Sequence, residues 1–194
     1  MITVHHLEYS QSFRILWLFE ELGVDYELKL YEPAAYKEVS PLGTAPVISD
    51  GDVVLAESNA IMDYVLDLHP SKSLRPEYGS QDRARFLFWF HASQGSMMPV
   101  LLIDMLLGMI EQKSPFFIRP LLKPIFKLTR AGFSNPRMKA ILQRAESDLA
   151  TAPFFGGENL TIADIVLSYP MESMHQKGLF DKKYPNCAAW VERM

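Results

Sequence analysis

The chain has 194 residues, 48% hydrophobic and 22% charged, a globular balance that argues against disorder. Its net charge of -4, with no block of like charges, argues against a phosphate-backbone partner such as nucleic acid. The single cysteine, Cys187, excludes an intramolecular disulfide.

Met1 to Leu7 is short and β-friendly, without the basic region and apolar core of a signal peptide. Ile15, Leu18, Phe19 and Leu22 then fall at i, i+3, i+4 and i+7, which predicts an amphipathic helix stopped by Gly23. Val24, Tyr26, Leu28 and Leu30 alternate with Asp25, Glu27 and Lys29, the period of a strand with one buried face. Tyr31 to Gly43, with Pro33 and Pro41, reads as irregular or as a short helix. Val47-Ile48 and Val53-Val54-Leu55 flank Asp50-Gly51, a pair suited to a tight hairpin turn. Ser58 is a good helix cap, and Ile61, Val65 and Leu68 form the next helical stripe.

His69 to Ser80 holds two prolines, a glycine and three serines and reads as a linker. Beyond it, strand-like alternation nearly vanishes. Gln81 to Gln112 is long, apolar and helical. Its most apolar part, Met97 to Ile110, contains Asp104 and falls short of the about 20 residues of a membrane span, so it is expected to be a buried core helix. Pro115, Pro120 and Pro124 cannot all lie inside one regular helix. Pro136 to Thr151 is helical, Gly156-Gly157 marks a turn, and Leu160 to Asp164 is a capping box. Pro185 opens a last helix. The expected organisation is a β/α unit over 1–75 and an all-helical unit over 81–194, soluble and in a reducing compartment, with no membrane partner.

Four segments, in order, resemble cytosolic glutathione transferases: Ser10 to Glu21, Ser40 to Val47, Ala56 to Ile61, and the capping box. The resemblance spans essentially the whole chain and is nearest the serine-type, bacterial or theta/phi-like members. It implies a thioredoxin-like α/β N-terminal domain, an all-α C-terminal helical bundle, a cytoplasmic location and a homodimer. Glutathione is the implied co-substrate, a small hydrophobic electrophile the implied partner, and conjugation, with peroxide reduction beside it, the implied activity.

In the family, the pair matching Glu57-Ser58 holds the γ-glutamyl end of glutathione. Ser58 would donate to its carboxylate and Glu57 would accept from its ammonium. The resemblance also implies a cis peptide between Ala45 and Pro46, with the Ala45 backbone pairing with the cysteinyl part as an added strand would. Thr44 departs from the Gln or Lys common there, with Lys37 a substitute cation or a plain surface lysine.

The thiol-activating group must lie between the first strand and first helix. Ser10, four residues before Arg14, is the leading choice; Tyr9 and Ser12 are the alternatives, Ser12 reading by preference as a helix cap. Arg14 is expected to be a structural salt-bridge partner. The loop has no cysteine, which disfavours disulfide-exchanging chemistry. No metal is expected, because His5 and His6 point to opposite faces of a strand. Met97, Met98, Met105 and Met109 are either core or the lining of an apolar pocket, and Phe116, Phe117 and Pro120 are a candidate cover for it. The rival functions are a non-catalytic ligand carrier or interaction module, and a glutathione-dependent isomerase or dehalogenase.

Overall fold

The computed structural model describes residues 1–40, 42–180 and 182–194. Pro41, read above as part of an irregular segment, lies outside the described residues. Four strands form one mixed sheet in the order β2-β1-β3-β4. Strand β1 (Ile2–Leu7) runs parallel to β2 (Tyr26–Tyr31), with α1 (Phe13–Leu22) as the crossover. Strand β3 (Val47–Asp50) is antiparallel to β1 and forms a hairpin with β4 (Val53–Ala56). Gly51 turns that hairpin at φ 56°, and Gly23 ends α1 at φ 62°, conformations that cost glycine little. The short helix α2 (Pro33–Val39) packs on β1 through buried Tyr36, whose hydroxyl donates to the His5 carbonyl at 3.1 Å.

Helix α3 (Ser58–Leu68) follows β4, and α1 and α3 contribute Ile15, Leu18, Phe19, Ile61, Met62 and Val65 to a core shared with Val4 and Ile48. That core runs without a break into the helical half. There the elements are α4 (Arg83–Ala92), a π-helical turn at Ser93–Met97, α5 (Met98–Lys113), α6 (Arg119–Thr129), a second π-helical turn at Arg130–Ser134, α7 (Asn135–Leu149), α8 (Ile162–Gln176) and α9 (Pro185–Arg193). Helix α8 is buried over its whole first half, apolar apart from Asp164 and Ser168, and touches α1, α3 and α4. The architecture is therefore a thioredoxin-like α/β layer joined to a helical bundle.

Two expectations need correction. The apolar face of β2 is buried only at its start: Tyr26 packs on Phe19 of α1, while Leu28 and Leu30 are exposed on this edge strand. The segment Met97 to Ile110 is not a core helix. In α5 only Val100 and Leu101 are buried, while Leu102, Met105, Leu106, Met109 and Ile110 are exposed. The three prolines do not share one helix interior: Pro115 precedes α6, Pro120 occupies its first turn, where a missing N–H is harmless, and Pro124 alone sits inside it.

One carboxylate joins the pieces of the helical half. Asp164, fully buried, accepts from the backbone N–H of Phe155 (2.7 Å) and of Thr161 (3.0 Å), the Thr161 hydroxyl (2.8 Å) and the indole N–H of Trp190 (3.1 Å). Burial pushes its carboxyl above the usual aspartate range, against the opposing pull of these four donors. Gly156 has no room for a Cβ, which would strike the Thr161 side chain. Asp164→Ala leaves four buried donors without an acceptor. We expect a loss on the order of 3 kcal/mol, measured by urea denaturation; a midpoint equal to wild type would show that these bonds hold nothing together.

Candidate active site

Two loops and one helix start meet at a cleft of about 420 Å³, within the roughly 300–1,000 Å³ range of small-molecule sites. Tyr9, Ser10 and Gln11 come from the loop before α1, Thr44, Ala45 and Pro46 from the loop before β3, and Glu57 and Ser58 from the start of α3. Gln94 and Tyr169 come from the helical half. Of the candidate catalytic and glutathione-binding residues Tyr9, Ser10, Ser12, Thr44, Ala45, Pro46, Glu57 and Ser58, all but Ser12 lie on this surface.

The Ala45–Pro46 peptide is cis. The loop ahead of it is fixed by Ser40, whose hydroxyl donates to the Thr44 carbonyl (2.7 Å) and accepts from the Thr44 N–H (3.0 Å). Neither backbone polar group of Ala45 has a hydrogen-bond partner among the described residues. An extended ligand backbone can therefore pair there.

Glu57 precedes α3 at φ 74° and ψ 119°, a region costing a non-glycine residue of order 1–3 kcal/mol. This puts Glu57, rather than Ser58, at the cap position; Ser58 is the first helical residue, nearly buried, and its hydroxyl has no hydrogen-bond partner among the described residues. The first-turn N–H groups of α3 add partial positive charge at this point, which suits a carboxylate. The exposed Glu57 carboxylate beside it suits an ammonium. Asn59 anchors the turn by donating to the Phe90 carbonyl of α4 at 2.7 Å.

The loop before α1 carries a chain of hydroxyls. Ser10 Oγ donates to the Leu7 carbonyl at 2.6 Å, shares a 2.7 Å contact with Ser12 Oγ, and accepts from the Ser12 N–H at 3.2 Å. Ser12 Oγ lies 2.7 Å from His6 Nδ1 and accepts from the Leu7 N–H at 3.3 Å. Ser12 occupies the cap position of α1 but makes no capping bond, because its hydroxyl is committed to the end of β1. It is fully buried and absent from the cleft wall. Burial holds the His6 imidazole below its usual pKa, so it is neutral at pH 7. Tyr9, at φ 55°, points its side chain fully into solvent at the mouth.

Arg14 is buried, but its partner is not a carboxylate. It donates to Gln11 Oε1 at 2.7 Å and lies 5.7 Å from the centre of the Tyr169 ring, with Nε and one terminal nitrogen unpaired. Burial lowers its pKa to about 10, which leaves it charged at neutral pH. Its contacts fix Gln11 and Tyr169, two wall residues that the sequence reading missed. Gln94 was missed as well, because the π-helical turn that carries it has no distinctive sequence period. Lys37 is exposed on α2 and outside the wall; no Lys or Arg lines the cleft. Met105, Met109, Phe116 and Phe117 also lie outside it, exposed on or beyond α5.

The sequence profile of the glutathione S-transferase N-terminal domain matches residues 10–68, and that of the C-terminal domain matches residues 115–194. Glutathione S-transferase 3 of Schizosaccharomyces pombe is 29% identical over 98% of this chain and 81% of its own length. A solved glutathione S-transferase from Actinobacillus pleuropneumoniae is 31% identical, with a TM-score of 0.73 over 100% of this chain and 86% of that one. A Phanerochaete chrysosporium glutathione transferase solved with oxidized glutathione shares the fold at 19% identity and a TM-score of 0.73, over 99% of this chain and 89% of that one.

The geometry separates the two loop serines by role. Ser12→Ala strands His6 Nδ1 and the Leu7 N–H and is expected to cost about 1–3 kcal/mol in urea denaturation, with a smaller loss of turnover in the folded fraction than removal of the Ser10 hydroxyl causes. Intact stability with abolished turnover would instead make Ser12 the activating hydroxyl.

Proposed function

This chain belongs to the glutathione S-transferase family and is a glutathione transferase; we propose that the cleft between Ser10, Ala45 and Ser58 is where it binds and activates glutathione. The single observation that carries this is the convergence of an unpaired carboxylate site at Ser58, an unpaired backbone at Ala45 and a hydroxyl at Ser10 in one cleft.

The γ-glutamyl carboxylate is held by the Ser58 hydroxyl and the first N–H groups of α3, and its ammonium by Glu57. The cysteinyl backbone pairs with Ala45 N–H and C=O. The sulfur then lies by Ser10 and the start of α1. Ser10 has one proton, now given to the Leu7 carbonyl. Turning it toward sulfur is inexpensive, because Ser12 Oγ already lies 3.2 Å from that carbonyl and can replace it. A donated hydrogen bond favours the thiolate, and the helix dipole adds to it. The thiolate attacks the electrophilic carbon, a new S–C bond forms, and the leaving group departs with its electron pair.

The electrophile we infer is small and apolar, approaching over the Tyr169 and Tyr9 rings at the mouth. The dimer and cytoplasmic location implied by the resemblance belong to the same reading. The exposed Val53 and Val54 of β4 and Leu87 and Phe88 of α4 are apolar surface such a dimer would cover. A carrier without turnover is the second reading, favoured by the absence of a cation in the cleft wall.

Ser10→Ala removes one hydrogen bond to a charged group, so kcat with a model aryl halide should fall about 10- to 100-fold while the KM for glutathione changes little. The pH midpoint of the rate should lie below the roughly 8.5 of a free thiol in the wild type and rise by about 1–2 units in Ser10→Ala, since losing a donor disfavours the charged form. An unchanged midpoint refutes the serine assignment. Glu57→Gln and Ser58→Ala should act the other way, raising the KM for glutathione about tenfold or more with a smaller effect on kcat. Binding by calorimetry with no turnover would favour the carrier.

A further inference from the structure

We propose that the α5–α6 tip is a docking surface for an anionic lipid bilayer, on which the protein rests peripherally. This surface is independent of the glutathione cleft. Between α5 and α6 the chain turns at Phe116 and Phe117, which are 81% and 65% exposed and stand edge to face, 5.6 Å apart. Arg119 shapes this turn by donating to the carbonyls of Ser114 and Gln112. Beyond it, Leu121, Ile125 and Leu128 recur at i, i+4 and i+7 on α6 and are 71%, 56% and 73% exposed. Isolated apolar side chains on a surface need no account, but a continuous stripe ending in two phenylalanines does.

The other flank of α6 carries Arg119, Lys123 and Lys127 at i, i+4 and i+8, and none of the three has a carboxylate partner among the described residues. Between Gln112 and Ala145 lie eight of the chain's 19 Lys and Arg and none of its 23 Asp and Glu. No two of the eight are adjacent, which is why the segment did not read as a charge block. A helix basic on one flank and apolar on the other, in a net-acidic protein, is the pattern of an interfacial helix drawn to anionic lipid.

A second copy of this chain fits less well. A twofold axis through this patch would set it against itself, bringing basic side chains together without acidic partners. A spanning role fits less well still. The helical run Arg83–Lys113 is long and apolar enough to cross a bilayer, but Phe86, Trp89, Phe90 and Met97 in its first half belong to the core. The expectation of no membrane partner rested on the lack of a span, and surface contact needs none.

The test is sedimentation of the full chain with phosphatidylcholine vesicles, with and without phosphatidylglycerol. Binding should be at least about tenfold greater with phosphatidylglycerol and should weaken in high salt, where exposed charges are screened. Phe116→Ser with Phe117→Ser, and separately Lys123→Glu with Lys127→Glu, should each reduce it about tenfold or more while glutathione conjugation stays at the wild-type rate. Equal recovery with and without either vesicle overturns the proposal. So does loss of dimer in the phenylalanine variant, by analytical ultracentrifugation, when the wild type ignores vesicles, since the covering partner is then a second copy.

Discussion

A buried carboxylate cannot stay unpaired, and Asp164 meets that constraint with four donors from three parts of the chain. The Phe155 N–H brings in the turn after α7, the Thr161 groups start α8, and the Trp190 indole N–H seats α9. Phe155 packs between Trp89 of α4 and Trp190, tilted to one and edge-on to the other, so the same residues close the core of the bundle. With its start fixed, α8 lies across α1 and α3, and Tyr169 falls beside Arg14 at the edge of the cleft. The shape of the site thus depends on an interaction well away from the reacting atoms.

The cleft gathers strained backbone and unmet hydrogen bonds. Glu57 and Tyr9 both hold positive φ without being glycine, and both line it. The Ser58 hydroxyl and the Ala45 backbone groups are left without partners, and Arg14 keeps unpaired nitrogens behind the wall. Strain and unmet hydrogen bonds persist only where the surrounding structure imposes them, and here they surround the space assigned to glutathione. The serine chain behind Ser10 has a similar logic: Ser12 and His6 leave Ser10 a second proton arrangement close in energy to the first.

Local chemistry was legible from sequence where a short segment decides its own conformation. Asp50-Gly51, Gly23 and the Leu160 to Asp164 box specify a turn, a stop and a start whatever surrounds them. The candidate site residues Ser10, Ala45, Glu57 and Ser58 were named through the family resemblance of the segments that carry them. Burial was less legible, because periodicity shows that a face is apolar without showing what covers it. Leu28 and Leu30 alternate as a buried strand should, yet both are exposed beyond the point where α1 packs on Tyr26. The apolar run of α5 reads as core, yet much of it faces outward. Gln94, Tyr169 and the Gln11 and ring partners of Arg14 needed the fold itself, since only packing brings α8 and the π-helical turn to the loop before α1.

The most direct measurement is a crystal structure with reduced glutathione bound. The expected result places the γ-glutamyl carboxylate on Ser58 and the first turn of α3, the cysteinyl backbone on Ala45, and the sulfur within hydrogen-bonding distance of Ser10 Oγ, turned away from the Leu7 carbonyl. Glutathione bound elsewhere, or bound here with Ser10 still donating to Leu7 and no hydroxyl at the sulfur, would contradict the assignment.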